Sequence, residues 1–399
     1  METSMQRSFA NERYIKVEKR LIIMVKRVFI TIDNVYPDDS GGKKLSLGRI
    51  MNARDNGDSV FVIHYNYSNQ NIDSAKSFFH ENGVSYVCYN PINDRTNIII
   101  RAFYIIKAFF HNESEPYCFV KNDKAFSDFI SEFIKNNAIT DISIESIFLF
   151  SVYKVLLCGG CRTNVTFHNV ESEFFMQLSN AVQDMLRKSY YKREGKVIRK
   201  LERQILFCER NPLLKYTFLT PLDSMFYVDK YGLSEGEYTL NINDIYINSK
   251  IERMVDKENP FFLFPGSLDF PPNNYSLQEL LNSFDHKIFN EMIPIVVTGK
   301  CSEKNKKQFS KYNSLKIVGY VSDAELRKLY STCVACISPI TVGGGVKIKN
   351  IEAIKLDVPL IATKFSCIGI NTEGKHVRLS DDSPLSFVST MKNFLDINS

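Results

Sequence analysis

The segment Ser338-Pro339-Ile340-Thr341-Val342-Gly343-Gly344-Gly345-Val346-Lys347-Ile348-Lys349-Asn350-Ile351-Glu352-Ala353 carries the clearest chemistry in the chain. A buried strand ending at Pro339 runs into three glycines and then a helix. Glycines Gly343, Gly344 and Gly345 let the backbone approach a ligand closely and aim free N–H groups outward. The helix start adds partial positive charge, and together these favour a phosphate. Lys347 and Lys349 add full charges, and Val346 stands between the glycines and them. Glu352, one turn into the helix, is placed to accept hydrogen bonds from a ribose or sugar hydroxyl. The plain alternative is a glycine turn into a surface helix with solvated lysines.

Three further groups follow strand ends. Pro37 to Gly41-Gly42 lies after the first strand, where a glycine-bearing turn can face an anion or simply connect strand to helix. His168-Asn169-Val170-Glu171 follows a later strand, and a lone histidine there serves structure or chemistry. Glu145-Ser146 also closes a strand and is read as structural. Two CxxC spacings, Cys158–Cys161 and Cys333–Cys336, come without a nearby second pair. The second is expected in a strand, where positions three apart face opposite sides; no metal site is assigned to either.

These residues need a scaffold, and the hydrophobic pattern supplies one. Strands are expected at 28–32, 59–65, 84–88, 117–121, 139–144, 164–167 and 216–219. Helices are expected at 43–56, 72–82, 98–110, 123–137 and 221–231, with one long charged helix over 171–209. Residues 232–259 read as a polar connection. The alternation resumes with strands at 261–264, 293–298, 315–318, 334–338 and 360–363, and helices at 276–284, 303–311, 323–331 and 347–355. Repeated βα units of this kind imply parallel sheets covered on both faces. The expected organisation is an extension over 1–24, a first Rossmann-like domain over 25–232, a connection over 233–259, a second Rossmann-like domain over 260–382 and a helix over 383–399. Met24, directly before the first strand, is a candidate start.

Composition removes other classes. A chain of 399 residues with 44% apolar and 24% charged residues has the make-up of a folded protein with two or three domains. Its formal charge of +5 is too mild to indicate a nucleic-acid partner. A local basic run, Arg187 to Arg203, reads as a solvated helix face, with anionic lipid head groups or an acidic acceptor as the alternative. Nine scattered cysteines fit a reducing compartment, not a disulfide framework. No stretch offers the ~20 apolar residues that cross a bilayer, and the first 24 residues lack a signal's apolar core. A cytoplasmic location is expected, with peripheral contact at the inner face of the membrane left open.

Gly319-Tyr320-Val321-Ser322-Asp323, the strand from Val334 to Pro339, the 343–352 segment and Asp357-Val358-Pro359-Leu360-Ile361-Ala362-Thr363 occur in this order with short gaps. Together they resemble the donor domain of retaining GT-B glycosyltransferases of the bacterial surface-polysaccharide type (glycosyltransferase family 4, group 1-like). Phe264-Pro265-Gly266-Ser267-Leu268-Asp269 looks like the first strand and loop of that domain, and the likeness covers about residues 261–370. In the first half, Pro37 to Gly42 resembles the family's glycine loop facing the donor diphosphate, and His168-Asn169-Val170-Glu171 its histidine segment. The resemblance implies two Rossmann-like, doubly wound α/β domains facing a cleft. It implies transfer of a sugar from a nucleotide-diphosphate donor to a glycan or lipid-linked glycan, with retention and without metal or cofactor. His168 and Glu352 take catalytic roles; Gly41, Gly42, Gly266, Lys300, Gly343, Gly344, Gly345, Val346, Lys347 and Lys349 bind the donor.

Two departures qualify the likeness. The family often carries two glutamates eight positions apart, and the first falls here at Gly344. Basic residues that many members place after the glycine of the first donor-domain strand are missing around 266–274, which leaves Lys300, Lys347 and Lys349 to neutralise a diphosphate. A non-catalytic protein that holds a nucleotide sugar or scaffolds a complex is the alternative reading, and a nucleotide-sugar epimerase a weaker one. A nicotinamide dehydrogenase is disfavoured because no GxGxxG follows the first strand.

Overall fold

The computed structural model describes residues 25–32, 34–37, 41–93, 95–153, 160–182, 184–207, 212–234, 236–240, 251–284 and 293–398. The extension over 1–24, Cys158 of the first CxxC spacing, and residues 235 and 241–250 of the 233–259 connection lie outside them.

The first half runs β1 (Lys26–Thr31), α1 (Gly41–Asp55), β2 (Ser59–Tyr65), α2 (Asp73–Glu81), β3 (Ser85–Tyr89), α3 (Ile98–His111), α4 (Glu115–Lys121), α5 (Lys124–Asn137) and β4 (Asp141–Ile144). A 3-10 helix (Ile147–Val152) then leads to β5 (Arg162–Phe167), α6 (Glu171–Ala181), α7 (Met185–Leu206), β6 (Leu214–Phe218), α8 (Pro221–Tyr231) and β7 (Tyr238–Leu240). The strands form one parallel sheet in the order β3-β2-β1-β4-β5-β6-β7. In β1, Val28 and Ile30 enter one core while Phe29 enters another on the opposite face. That period of two, apolar on both sides, is why the strand reads as a continuous greasy run.

The second half runs β8 (Phe262–Pro265), α9 (Pro271–Asn282), β9 (Ile295–Thr298), α10 (Glu303–Phe309), β10 (Leu315–Gly319), α11 (Asp323–Thr332), β11 (Ala335–Ser338), α12 (Ile348–Lys355), β12 (Leu360–Thr363), β13 (Val377–Ser380) and α13 (Pro384–Asn398). Its strands are also all parallel, in the order β10-β9-β8-β11-β12-β13. Phe264 and Ile337 face one core with Phe387 and Met391 of α13; Leu263 and Cys336 face the other. The two-domain, doubly wound α/β architecture expected from the pattern is the one observed.

Several local expectations fail for identifiable reasons. Residues 117–121 form helix α4 instead of a strand. Its aromatic and β-branched run looked like a buried strand, but Pro116 occupies the first helical turn after Ser114, and Cys118, Phe119 and Val120 are buried from a helix. The long helix over 171–209 is broken: Val182 is extended and Asp184 starts α7 by accepting from Arg187 N at 2.7 Å. β7 lies within the segment read as a featureless connection, and β13 adds an edge strand that the pattern did not reveal. Cys333 ends α11 ahead of β11, and it shares one core layer with Cys336 instead of facing away from it. Among the described residues, no group of three or more His, Cys, Asp or Glu side chains is placed to hold a metal ion.

Candidate active site

In a doubly wound sheet, ligands bind beyond the carboxyl ends of the strands, where the strand order reverses. Those reversals fall at β1/β4 in the first sheet and β8/β11 in the second. The chain leaving each of these strands carries the residues singled out above, and the two edges meet. Leu45 of α1, Leu219 after β6 and Ile351 of α12 form a buried cluster joined by Val346 and Ile348. Phe174 of α6 stacks on Phe270 ahead of α9, with ring centroids 6.1 Å apart. Val346 is therefore part of the apolar floor between the two sheets.

The glycine turn after β11 approaches the first domain closely. Gly345 has φ 69°, and a Cβ there would collide with the Asn169 side-chain oxygen. Gly343 has φ 95°, and its Cβ would meet Pro272 Cγ at 2.9 Å. Both positions thus require glycine. Gly344 differs, since a Cβ would have open space. The Lys347 ammonium folds back over this turn and donates to the carbonyls of Gly343, Gly344 and Gly345 at 3.3, 2.9 and 2.9 Å.

Lys349 Nζ donates to Asn273 Oδ1 at 3.0 Å and lies 4.1 Å from the centroid of the Phe264 ring. Gly266 sits below it, where a Cβ would meet Asn273 Nδ2 at 2.7 Å. Burial lowers the pKa of Lys347 to about 8, against the pull of Asp223, and that of Lys349 to about 7, with Lys347 adding repulsion. Both ammonium groups are thus held below their ordinary pKa, Lys349 further than Lys347. Lys300 stands apart from this pair. Its side chain is exposed, and its carbonyl accepts from Leu268 N at 3.0 Å and from Ser267 Oγ at 2.8 Å.

Gly41 and Gly42 form the first turn of α1, not the turn ahead of it. Gly41 packs so closely that a Cβ would meet Ile348 Cγ1 at 2.9 Å, which brings the starts of α1 and α12 together; Gly42 is exposed. One turn on, the Lys44 ammonium forms an ion pair with Glu352 Oε1, and the Tyr330 hydroxyl donates to Glu352 Oε2 at 3.4 Å. Glu352 therefore already has a cationic partner from the opposite domain.

His168 is carried by the end of β5. Its Nε2 lies 3.7 Å from Glu145 Oε2, an ion-pair separation longer than a direct hydrogen bond, and its buried Nδ1 has no hydrogen-bond partner. Glu145 is buried and also lies 3.4 Å from Arg49 Nε, while Ser143 Oγ donates to it at 2.7 Å. Burial alone would raise this carboxyl; Arg49, His168 and Ser143 outweigh it and hold the pKa at about 2. Glu145 is structural as expected, but it serves the histidine. Nearby, Asp223 of α8 has one carboxylate oxygen buried without a partner. Burial raises its pKa to about 6, although the Thr220 hydroxyl and the Lys347 charge pull it down.

Lys44, Arg49, Asn169, Asp223 and Asn273 touch the candidate site but were not singled out from the sequence. Lys44 had a legible signal, being the second of two lysines that follow a glycine pair after strand one. Asn169 was in view inside the histidine segment. Arg49 and Asp223 look like ordinary helix residues until the sheets are assembled.

Residues 259–396 match the family described as "Glycosyl transferases group 1". An uncharacterized 44.6 kDa protein in the cps region of Klebsiella pneumoniae is 24% identical over 380 residues, which covers 91% of this chain and 89% of that protein. Among solved structures, sucrose-phosphate synthase from Thermosynechococcus elongatus superposes with a TM-score of 0.62 at 12% identity, covering 93% of this chain and 90% of that one. HepE from Anabaena, solved with UDP and glucose, gives 0.59 at 11% identity, covering 94% and 90%. Identities this low speak to the fold, and that fold is GT-B: two doubly wound domains facing one cleft.

Proposed function

We propose that this protein is a retaining glycosyltransferase that moves a sugar from a nucleoside-diphosphate donor to a glycan or lipid-linked glycan during assembly of a cell-surface polysaccharide. The group 1 match over 259–396 and the GT-B fold support a glycosyltransferase. The relative encoded in a cps region supports the polysaccharide setting, and HepE, solved with UDP and glucose, supports the donor class.

One observation carries the donor assignment: two half-buried lysines, each held below its ordinary pKa by desolvation, follow the glycine turn at the start of α12. Two ammonium groups desolvated beside each other cost free energy until an anion arrives, so the cleft is electrostatically prepared for one. A pyrophosphate on the turn would accept from free N–H groups and from Lys347 and Lys349. Glu352 would accept from the ribose, and His168 Nδ1, unpartnered in the cleft, from or to a hydroxyl of the transferred sugar. In this reading the lysines and helix-start amides offset the charge of the leaving group, with no metal ion or cofactor required.

The bond between the anomeric carbon and the β-phosphate oxygen breaks as the acceptor hydroxyl oxygen bonds to that carbon from the same face. The released phosphate oxygen takes the hydroxyl proton, so the products are the glycoside and the protonated nucleoside diphosphate. Catalysis is then mostly positioning and stabilisation of the departing anion. Cys88, Cys118, Cys301, Cys333, Cys336 and Cys367 are unbridged thiols, which supports a reducing setting. No helix among the described residues is long and apolar enough to cross a membrane.

The test is incubation with radiolabelled nucleotide sugars and a lipid-linked acceptor extract. Transfer of label with the anomeric configuration kept is expected. Nucleotide-sugar binding without transfer would instead favour a holding or scaffold protein, the role that glycine at position 344 favours. Absence of both would sink the donor assignment.

A further inference from the structure

The α3 helix is apolar around most of its circumference, yet only a narrow stripe of it is buried. Tyr104 and Ala108, four residues apart, pack inward, with the Tyr104 and Phe119 ring centroids 4.6 Å apart. Asn97 starts the helix by accepting from Ile99 N at 2.9 Å, so the exposed residues belong to a capped, regular element. Ile99 is 75% exposed, Phe109 63% and Phe110 80%, and Ile98, Phe103 and Ile106 are exposed with them. Soluble proteins rarely leave so many large apolar side chains contiguous.

A second element joins this face. Arg193 of α7 donates to the carbonyls of Ala108 and Glu113 at 3.0 and 3.2 Å, and its guanidinium lies 5.2 Å from the centre of the Phe109 ring. That clamps the third turn of α7 to the end of α3. The first turn of α7 carries Met185 and Leu186, 75% and 83% exposed. Arg187, Lys188 and Lys192 follow and are exposed, as is Arg101 on α3. Three nearby carboxylates are already paired, Glu113 with Lys121, Glu115 with Arg95 and Glu194 with Arg193, while the exposed Asp184 caps α7 through Arg187 N and leaves the cations in excess.

We propose that α3 and the start of α7 form a membrane-docking face that seats its apolar side chains among the acyl chains of an anionic lipid surface while Arg187, Lys188 and Lys192 meet the head groups. An apolar band too wide for a two-helix seam, bordered by uncompensated cations, matches an interfacial helix better than a protein groove. This inference is independent of the transfer reaction, because none of these residues lies in the cleft.

The full chain is floated on density gradients with vesicles of phosphatidylethanolamine and phosphatidylglycerol in equal parts, or of phosphatidylcholine alone. Flotation with the anionic vesicles is expected, with binding weaker by about tenfold or more on phosphatidylcholine. Phe109→Glu with Phe110→Glu should abolish flotation, and Arg187→Glu with Lys188→Glu should weaken it and reduce its salt sensitivity. Unchanged thermal unfolding of both double variants, expected for exposed positions, separates lost binding from lost folding. Failure of the parent to float overturns the assignment. So does a parent dimer, seen by sedimentation, that Phe109→Glu with Phe110→Glu dissociates, because a second copy would then be the occupant.

Discussion

Lys44 and Glu352, 308 positions apart, form an ion pair that joins the first helix of one domain to α12 of the other. Each side chain is only about one-seventh exposed, at 15% and 14%, so the pair is screened less than a surface bridge would be. In the proposed function this pair fixes the carboxylate that receives the donor ribose.

Glu352→Ala should raise the donor KM and lower turnover together. A hydrogen bond to a charged group contributes about 1.5–3 kcal/mol, so a loss of about 10- to 150-fold in kcat/KM is expected. Lys44→Met should weaken donor binding with a smaller effect on turnover. Steady-state kinetics with varied nucleotide sugar give both numbers, and Glu352→Ala turnover within about twofold of the parent would remove its assigned role.

His168→Ala should separate chemistry from binding. In the proposed function the histidine meets the transferred sugar, so turnover should fall by about a hundredfold, or about 2.7 kcal/mol. Stabilisation by the nucleoside diphosphate alone should persist in thermal-shift titrations. Loss of that stabilisation would place the histidine at the nucleotide instead.

Nucleotide binding should take up protons. Lys347 and Lys349 have pKa values lowered to about 8 and 7, and a bound diphosphate would raise both. Affinity is then fullest below about pH 7 and falls as pH rises through 8, once ordinary phosphate ionisation is allowed for. Calorimetry in buffers of different ionisation enthalpy measures the uptake directly. Lys349→Met should remove much of it, and zero net uptake by the parent would contradict the lysine cradle.

Acid should expose the buried chain Arg49–Glu145–His168. The Glu145 carboxyl is lowered from 4.5 to about 2 in the folded state. Its contribution is therefore present above pH 4.5 and lost as pH falls from there towards 2. Glu145→Gln should flatten that part of the stability curve, and it leaves Arg49 buried without its counter-charge, at a cost of about 3–5 kcal/mol. Urea unfolding at a series of pH values checks both effects.

Neighbouring glycines should respond in opposite ways. Gly345→Ala forces a left-handed backbone and a collision with Asn169, so a loss of about 1–3 kcal/mol is expected. Gly344→Glu, which supplies the family's first glutamate, meets open space and should unfold within about 0.5 kcal/mol of the parent. Equal destabilisation of the two would mean that the turn is shaped differently.

The order of strands and helices was largely legible from the chain because parallel strands buried on both faces leave unbroken apolar runs, and amphipathic helices leave a second period between them. The position of the glycine turn with Lys347, Lys349 and Glu352, and of the histidine, at strand ends was legible for a related reason: apolar runs mark where each strand stops. What local pattern could not carry was any property that depends on partners far away in the chain. α4 needed Pro116 in its first turn and burial of Cys118, Phe119 and Val120 to outweigh strand-like composition, and β7 was too short to stand out from polar surroundings. Lys44 became part of the site only when the two sheets met, and Glu145 acquired its depressed pKa only from Arg49 and His168 on other elements. The exposed face of α3 was likewise invisible, because an apolar helix reads the same whether its surroundings are core or solvent. Periodicity reports which side chains avoid water; only packing decides which of them succeed.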